Sequence, residues 1–301
     1  MQLKSPLCLL LLLTGCAPSA TDSLAPAEKP EENPVATEAP VVGEVGEVGE
    51  VVETPEATDF TDANFLYSAS VTGTDFDIIT TSDPTDFCRL EYTGRSQQEM
   101  PDKTSDGELF AQAITFNAHF NHGPPIAVAM DIDFDTTSAA EVDALRYATR
   151  LGKLPLVLRS GVNRLVVHKG QPDTTAFSDV GLIVVYSANA ARRIQTNDLE
   201  ETLLHESVHA TWDAPHAASN DWRNAQNQDN FFISNYAMGL PEREDLAESA
   251  LFAYALNANP NRLPAADAEA ISRAIPARIA LVQGLLNTAP QVPADARCPT
   301  G

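Results

Sequence analysis

The chain has 301 residues, 44% of them hydrophobic, and a formal net charge of −23 at pH 7. The apolar fraction is typical of a globular protein that can bury a core. A surface this acidic is repelled by phosphate backbones, so we expect no nucleic-acid partner.

Residues 1–15 are predicted to form a lipoprotein signal peptide. Lys4 supplies the positive charge, and the apolar run after it is too short to span a bilayer. The run ends in Leu-Thr-Gly-Cys at Cys16, which resembles the lipobox of bacterial lipoproteins. This resemblance implies acylation of Cys16 and attachment to a membrane through the lipid, whereas an ordinary signal peptide is the alternative. Since Ala17 follows the cysteine, the resemblance favours the outer membrane of the cell envelope.

Residues 16–59 are predicted to be a disordered, acidic tether rich in Pro, Glu and Val. Eleven acidic side chains lie between residues 17 and 60, where Lys29 is the one basic residue. Such a segment cannot bury enough apolar surface to offset the entropy of ordering, and its charges and prolines extend it. We therefore expect it to hold a folded domain, residues 60–301, away from the membrane.

Four strands are predicted in the folded domain, where apolar residues alternate with polar ones or form short runs. The first two are joined by a hairpin turn. The last is nearly continuous in apolar residues, and we expect it at an edge of the sheet, where an extended peptide can pair with it. These strands span residues 114–120, 126–132, 164–168 and 182–186.

Helices are predicted to dominate the chain after residue 197. Ser138 with Glu141, and Asn197 with Glu200, form capping-box patterns that open two helices. Strands therefore precede helices, which predicts an α+β fold with an N-terminal part over 60–150 and a catalytic part over 151–301. The predicted helices span residues 138–150, 197–212, 241–256 (with Pro241 in the first turn) and 265–286 (interrupted by Pro276).

The strongest chemical signal is the run His-Glu-Ser-Val-His that begins at His205. His205 and His209 lie four residues apart, so they share one helix face and can bind one zinc ion. Glu206, rotated by about 100°, would lie beside a zinc-activated water and act as general base. The alternative is a polar helix face, but the apolar residues around the motif predict a buried helix, where ionisable groups require partners.

A third protein ligand is expected, because catalytic zinc has three ligands and one open position. The metzincin pattern requires a ligand ten residues after the first histidine, but Pro215 stands there and His216 comes one place too late. His216 is therefore predicted to lie outside the ligand set. The gluzincin pattern, a Glu on a later helix followed four residues on by an acidic residue, is met by Glu244 and Glu248. A helix-capping carboxylate is the alternative for Glu244.

The motifs together resemble the anthrax lethal factor family of gluzincin-type zinc metallopeptidases. The resemblance covers about residues 150–256, with one more residue between Tyr236 and Glu244 than in that family. It implies a zincin-like fold with one zinc ion held by His205, His209 and Glu244. It further implies that Glu248 orients a ligand histidine and that Tyr236 stabilises an oxyanion, although a core tyrosine is the alternative.

The predicted function is that of a zinc-dependent hydrolase, a metalloendopeptidase that acts as a monomer on peptide or protein substrates. A non-catalytic envelope lipoprotein that uses the same fold as a binding module is the alternative. Cys88 and Cys298 are predicted to pair as a disulfide in an oxidising compartment, and two free thiols are the alternative.

Overall fold

The computed structural model describes residues 64–105 and 110–288 of the chain. The signal peptide, Cys16, the tether and Cys298 lie outside these residues. The predictions of lipidation, of a tether and of a Cys88–Cys298 disulfide therefore stay predictions.

The described residues form a six-stranded mixed sheet and a separate parallel pair, β1 with β8. The order in the sheet is β2-β3-β4-β5-β7-β6, in which β4, β5 and β7 are mutually parallel and the other neighbours are antiparallel. The strands are β1 (Asn64–Tyr67), β2 (Phe87–Glu99), β3 (Phe110–Phe120), β4 (Ile126–Asp131), β5 (Arg164–His168), β6 (Phe177–Asp179), β7 (Leu182–Tyr186) and β8 (Phe231–Ser234). The four predicted strands, β3, β4, β5 and β7, are confirmed, and so is the hairpin between β3 and β4.

The prediction that β7 is an edge strand is wrong. It lies between β5 and β6, and all five of its residues are buried. Ile183 and Val185 face the main core, while Leu182 and Val184 face a smaller apolar cluster on the other side of the sheet. A strand that is apolar on both faces belongs in the interior of a sheet, so the short strand β6 forms the edge.

Nine helices follow or separate the strands in the described part of the chain, which is α+β as predicted. None of them is both long enough and apolar enough to cross a membrane. The helices are α1 (Thr137–Leu151), α2 (Leu156–Arg159), α3 (Ser187–Gln195), α4 (Leu199–Trp212), α5 (Asn220–Asp229), α6 (Asn235–Gly239), α7 (Asp245–Ala258), α8 (Ala265–Ala274) and α9 (Pro276–Leu286).

The helix predicted from residue 265, with an interruption at Pro276, is confirmed as α8 and α9, whereas the other three predicted helices begin at other residues. Thr136, not Ser138, caps α1, where its Oγ1 accepts a hydrogen bond from the Ala139 amide at 3.1 Å. Asn197 has a left-handed backbone (φ 58°) and lies outside α4. Glu200 is therefore not part of a capping box.

The helix predicted from Pro241 begins instead at Asp245, as α7. The residues from Pro241 to Glu244 form a separate turn, closed by amides of Arg243 and Glu244 that donate to the Leu240 carbonyl at 3.0 and 2.8 Å. Glu244 consequently occupies the N-cap position of α7 and not its first turn.

Helix α4 is the central helix of the fold, buried over nearly its whole length and packed against β6, β7 and α7. The turn between β6 and β7 is fixed to it by the Gly181 amide, which donates to the Ala210 carbonyl at 2.8 Å. Gly181 has a φ of 71°, and a Cβ there would lie 2.4 Å from Asn163 Nδ2. Only glycine fits this position, which places β6 across the face of α4.

Two buried carboxylates in the first turn of α4 are held differently. Glu200 accepts bonds from Arg150 at 3.1 Å and Lys153 at 2.9 Å. Glu201 accepts a bond from the Ile79 amide at 2.8 Å, and its Oε2 is buried without a geometrically sound partner. Burial raises the pKa of Glu201 to about 7 from 4.5.

We expect a pH-dependent stability from Glu201. Because its folded-state pKa is raised, its contribution is fully present below about pH 4.5 and is lost as the pH rises to about 7. Over this window, wild-type protein should lose about 2–3 kcal/mol of unfolding free energy relative to Glu201→Gln. Urea unfolding of both proteins at pH 4.5 and pH 8 measures the difference, and parallel pH profiles would contradict the assignment.

Candidate metal centre

Three side chains from two helices converge at one point. Nε2 of His209 lies 3.1 Å from Nε2 of His205 and 3.2 Å from Oε2 of Glu244. The remaining separation, between His205 Nε2 and Glu244 Oε2, is 3.3 Å. The 3.6-residue turn of α4 brings the two histidines together, and the position of Glu244 at the start of α7 brings in the carboxylate.

These separations fit a metal ion. Ligand atoms about 2.0–2.1 Å from a tetrahedral zinc lie about 3.3 Å from one another, which matches all three measured distances. Two imidazoles and one carboxylate are also a donor set of catalytic zinc sites. In the described part of the chain, this is the one group of at least three His, Cys, Asp or Glu side chains that could hold a metal ion.

The structure places His216 outside this group, as predicted. His216 lies in a π-helical turn, Asp213–Ala217, that continues α4. Its ring meets that of Trp212 edge-on, with centroids 6.2 Å apart.

The charges of His209 and Glu244 stabilise one another. Burial alone would lower the pKa of His209, but hydrogen bonds to Asp213 and Glu244 outweigh it and raise this pKa to about 10. Burial alone would raise the pKa of Glu244, but hydrogen bonds from His205 and His209 outweigh it and lower this pKa well below its ordinary value. A metal ion bound through Nε2 of His209 therefore has to displace a proton from this ring.

Asp213 is a neighbour of the candidate metal group that the sequence pattern did not single out. Its Oδ2 lies 2.7 Å from Nδ1 of His209, four residues earlier in the chain. A carboxylate on the outer ring nitrogen fixes the tautomer that leaves Nε2 available to a metal. The spacing of four residues along a continuing helix was the signal that could have revealed this pair.

Glu248 lies beside His205, but no hydrogen bond joins them. Its Oε1 is 3.4 Å from Nδ1 of His205, and this ring nitrogen is buried without a partner. Glu248 accepts bonds from the hydroxyls of Ser70 and Ser234 at 2.7 and 2.6 Å, and from the Val71 amide at 2.9 Å. Glu248 is therefore placed next to a candidate ligand histidine, as predicted. Its role in orienting that histidine stays a prediction.

Glu206 faces the same site from the next position of α4. Its Oε2 accepts a hydrogen bond from the Ser178 hydroxyl at 2.6 Å. Ser178 lies in the middle of β6, 28 residues before Glu206. No sequence pattern connects the two residues, because their contact depends on how the β6–β7 turn docks on α4.

Tyr236 also reaches the site, from the start of α6. The residue is 40% exposed. Burial, then the charge of Glu244 and a hydrogen bond to it, raise the pKa of Tyr236. The phenol therefore stays protonated and can donate a hydrogen bond close to the carboxylate.

A cleft of about 440 Å³ joins these groups, a size typical of ligand sites. Ser178 and Val180 of the edge strand and its turn form part of one wall. Three basic residues that the sequence analysis did not single out also line the cleft: Lys103, Arg193 and Arg243.

Comparison of the chain with protein-family models, with curated proteins and with solved structures found no match. The α+β class and the candidate metal group rest on the structure itself. The zincin-like fold and the gluzincin family stay predictions.

Proposed function

We propose that this chain is a zinc-dependent hydrolase of the gluzincin type that cleaves peptide bonds. One observation carries the proposal: three donor atoms lie 3.1–3.3 Å apart in a cleft that also presents the carboxylate of Glu206. His205, His209 and Glu244 would hold one zinc ion.

When bound there, zinc supplies a Lewis acid that acidifies water and polarises a carbonyl. Glu206 accepts a proton from the attacking water as the new C–O bond forms, and returns it to the amine nitrogen as the C–N bond breaks. Ser178 holds the carboxylate of Glu206 in place for both transfers. Tyr236 donates its hydroxyl proton in a hydrogen bond to the carbonyl oxygen as negative charge develops.

The edge strand β6 provides a surface for the substrate backbone. In the described part of the chain, β6 pairs on one side only, with β7. An extended peptide can add to its free side. Because Ser178 of β6 is bonded to Glu206, a peptide in this place would lie beside the Glu206 carboxylate.

A peptide library tests the proposed activity. Zinc-loaded full-length protein is incubated with the library, and new termini are identified by mass spectrometry. Cleavage that stops with a chelator and returns with added zinc supports the proposal. Stoichiometric zinc without any cleavage would favour the binding-module alternative.

Ser178→Ala should lower kcat about tenfold without changing the zinc content. The substitution removes a 2.6 Å charge-assisted bond that orients Glu206. Ser178→Thr retains the hydroxyl and serves as the matched control, with kcat close to that of wild type. Steady-state kinetics and metal analysis measure the effects; an unchanged kcat in the alanine variant would show that Glu206 needs no such support.

We also propose that Cys16 anchors the protein to the cell envelope. Cys16→Ser should leave the protein unprocessed or release it from the membrane fraction, because two or three acyl chains provide the attachment. Fractionation and mass spectrometry of the N-terminus measure this. An unmodified mature N-terminus at another residue would contradict the proposal.

A further inference from the structure

The acidic groups that line the cleft already have partners. Glu206 is bound by Ser178, Glu244 and Asp213 are bound by the histidines, and Asp179 accepts a bond from the Val180 amide at 2.7 Å. The basic groups of the cleft are not engaged to the same degree.

Lys103 is a cation in this cleft with neutral partners only. Its Nζ donates to the Thr175 hydroxyl at 2.8 Å and to the Ala176 carbonyl at 3.2 Å, and it lies 5.6 Å from the ring centre of Phe177. It forms no ion pair with any carboxylate of the described residues. An ammonium group has three protons to donate, so one remains available to a ligand.

The backbone of Lys103 is fixed by the sheet below it. Its amide donates to the Tyr186 hydroxyl at 3.0 Å, and this hydroxyl donates to Asp102 Oδ1 at 2.7 Å. Nε2 of His168, whose ring stacks on that of Tyr186, lies 2.9 Å from the Pro101 carbonyl. The ammonium group is therefore held over β6 by a preorganised segment, and the neighbouring carboxylate of Asp102 is bound elsewhere.

Arg243 is the second available cation. It immediately precedes Glu244, with which its Nε forms one 3.4 Å ion pair, and its side chain is 73% exposed, so most of the guanidinium is accessible to a ligand. Burial lowers the pKa of Lys103, the charge of Glu206 raises it and the charge of Arg243 lowers it, so Lys103 lies within electrostatic range of both groups. Arg193 also has an ion-pair partner, Asp198 at 3.1 Å, but only 18% of its side chain is exposed.

We propose that the cleft selects substrates that carry a carboxylate beside the cleaved bond, bound by Lys103 with help from Arg243. The inference rests on the proposed peptidase function and adds the class of substrate. The carboxylate can belong to an Asp or Glu side chain or to the C-terminus of a peptide.

Short-range contacts must provide this selectivity, because the chain as a whole is strongly negative. At physiological ionic strength, charges more than about 8 Å away are largely screened, whereas a partly desolvated ammonium group acts at close range. A charge-assisted hydrogen bond of this kind corresponds to about a ten- to hundredfold preference.

The test uses zinc-loaded full-length protein and three peptide pools whose central residue is Glu, Gln or Lys. Wild-type protein should cleave the Glu pool about tenfold or more faster than the Gln pool. Lys103→Gln should remove most of this preference, Arg243→Gln should reduce it, and Lys103→Glu should favour the Lys pool. Lys169→Gln is the matched control, because its Nζ also lies beside an aromatic ring, 5.9 Å from the centre of Phe134, but outside the cleft.

Pools with free and with amidated C-termini distinguish the two sources of the carboxylate. A preference for the Glu pool that is retained by amidated peptides identifies a side chain, whereas equal cleavage of the three free-terminus pools that falls on amidation identifies the C-terminus. Equal cleavage of all pools, with free and with amidated C-termini alike, or a preference that survives in the Lys103→Gln protein, would overturn the inference and leave the peptidase proposal intact.

Binding separates this inference from the peptidase proposal. Fluorescein-labelled Glu and Lys pools are titrated into the Glu206→Gln protein, and anisotropy is measured. If the Glu pool binds more tightly than the Lys pool, this difference depends on Lys103 and wild type cleaves neither pool, the peptidase proposal is refuted and the anion site is retained. No binding preference and no cleavage refute both.

Discussion

Glu206→Gln should reduce peptide cleavage by at least about 10²-fold while zinc stays bound. In the proposed mechanism the carboxylate of Glu206 takes a proton from water, and general-base catalysis contributes typically 10²–10⁴-fold. Glutamine keeps the size of the side chain and can still accept the bond that the Ser178 hydroxyl donates at 2.6 Å. The fold and the metal ligands are therefore preserved, and kcat and zinc content are measured on the same preparation.

Glu201→Gln provides the matched control for this experiment. Both residues are buried glutamates of α4, but Glu201 is bound to the Ile79 amide and does not line the cleft. The control protein should cleave peptides at the wild-type rate. If Glu206→Gln, with its zinc in place, were as fast as wild type, Glu206 would not be the base.

The sequence was informative wherever one local pattern determined the outcome. Strands β5 and β7 begin and end at the predicted residues, because a short run of Leu, Ile and Val between turn residues is typical of a buried strand. The paired histidines likewise depend only on helical periodicity. His205 and His209 meet because a helix places residues four apart on one face.

The sequence was less informative about contacts that depend on docking. Ser178 reaches Glu206 because Gly181 fixes a turn on α4. Glu248 is held beside the site by Ser70, which lies 178 residues earlier in the chain. Lys103 enters the cleft because Tyr186 holds its backbone on the sheet. None of these contacts has a spacing that can be read along the chain.

Helix starts were the least predictable local feature. Several Ser, Thr, Asn and Asp residues precede α1 and α4, and the path of the preceding chain selects which of them takes the N-cap position. At α4 the left-handed backbone of Asn197 moves the start by two residues, and Glu200 turns to Arg150 and Lys153. At α7 the later start gives Glu244 its N-cap position.

Glu244→Ala should abolish tight zinc binding. It removes one of three donors whose separations match a tetrahedral ion. Loss of a residue that only supports a ligand typically costs 10–100-fold in affinity, so loss of a ligand itself should exceed about 100-fold. Metal analysis of the purified protein and competition with a chelator measure the change.

Two comparisons make this result specific to the ligand set. Glu242→Ala removes an exposed carboxylate two residues away and should keep its zinc, and Glu248→Ala should weaken binding without abolishing it. Zinc at about one hundred times its Kd should stabilise wild type by about 2.7 kcal/mol and leave the Glu244→Ala protein unaffected. If the three side chains formed only a hydrogen-bonded cluster, zinc would not stabilise wild type at all. Full zinc retention by Glu244→Ala would instead transfer the third ligand position to His216 or Glu248.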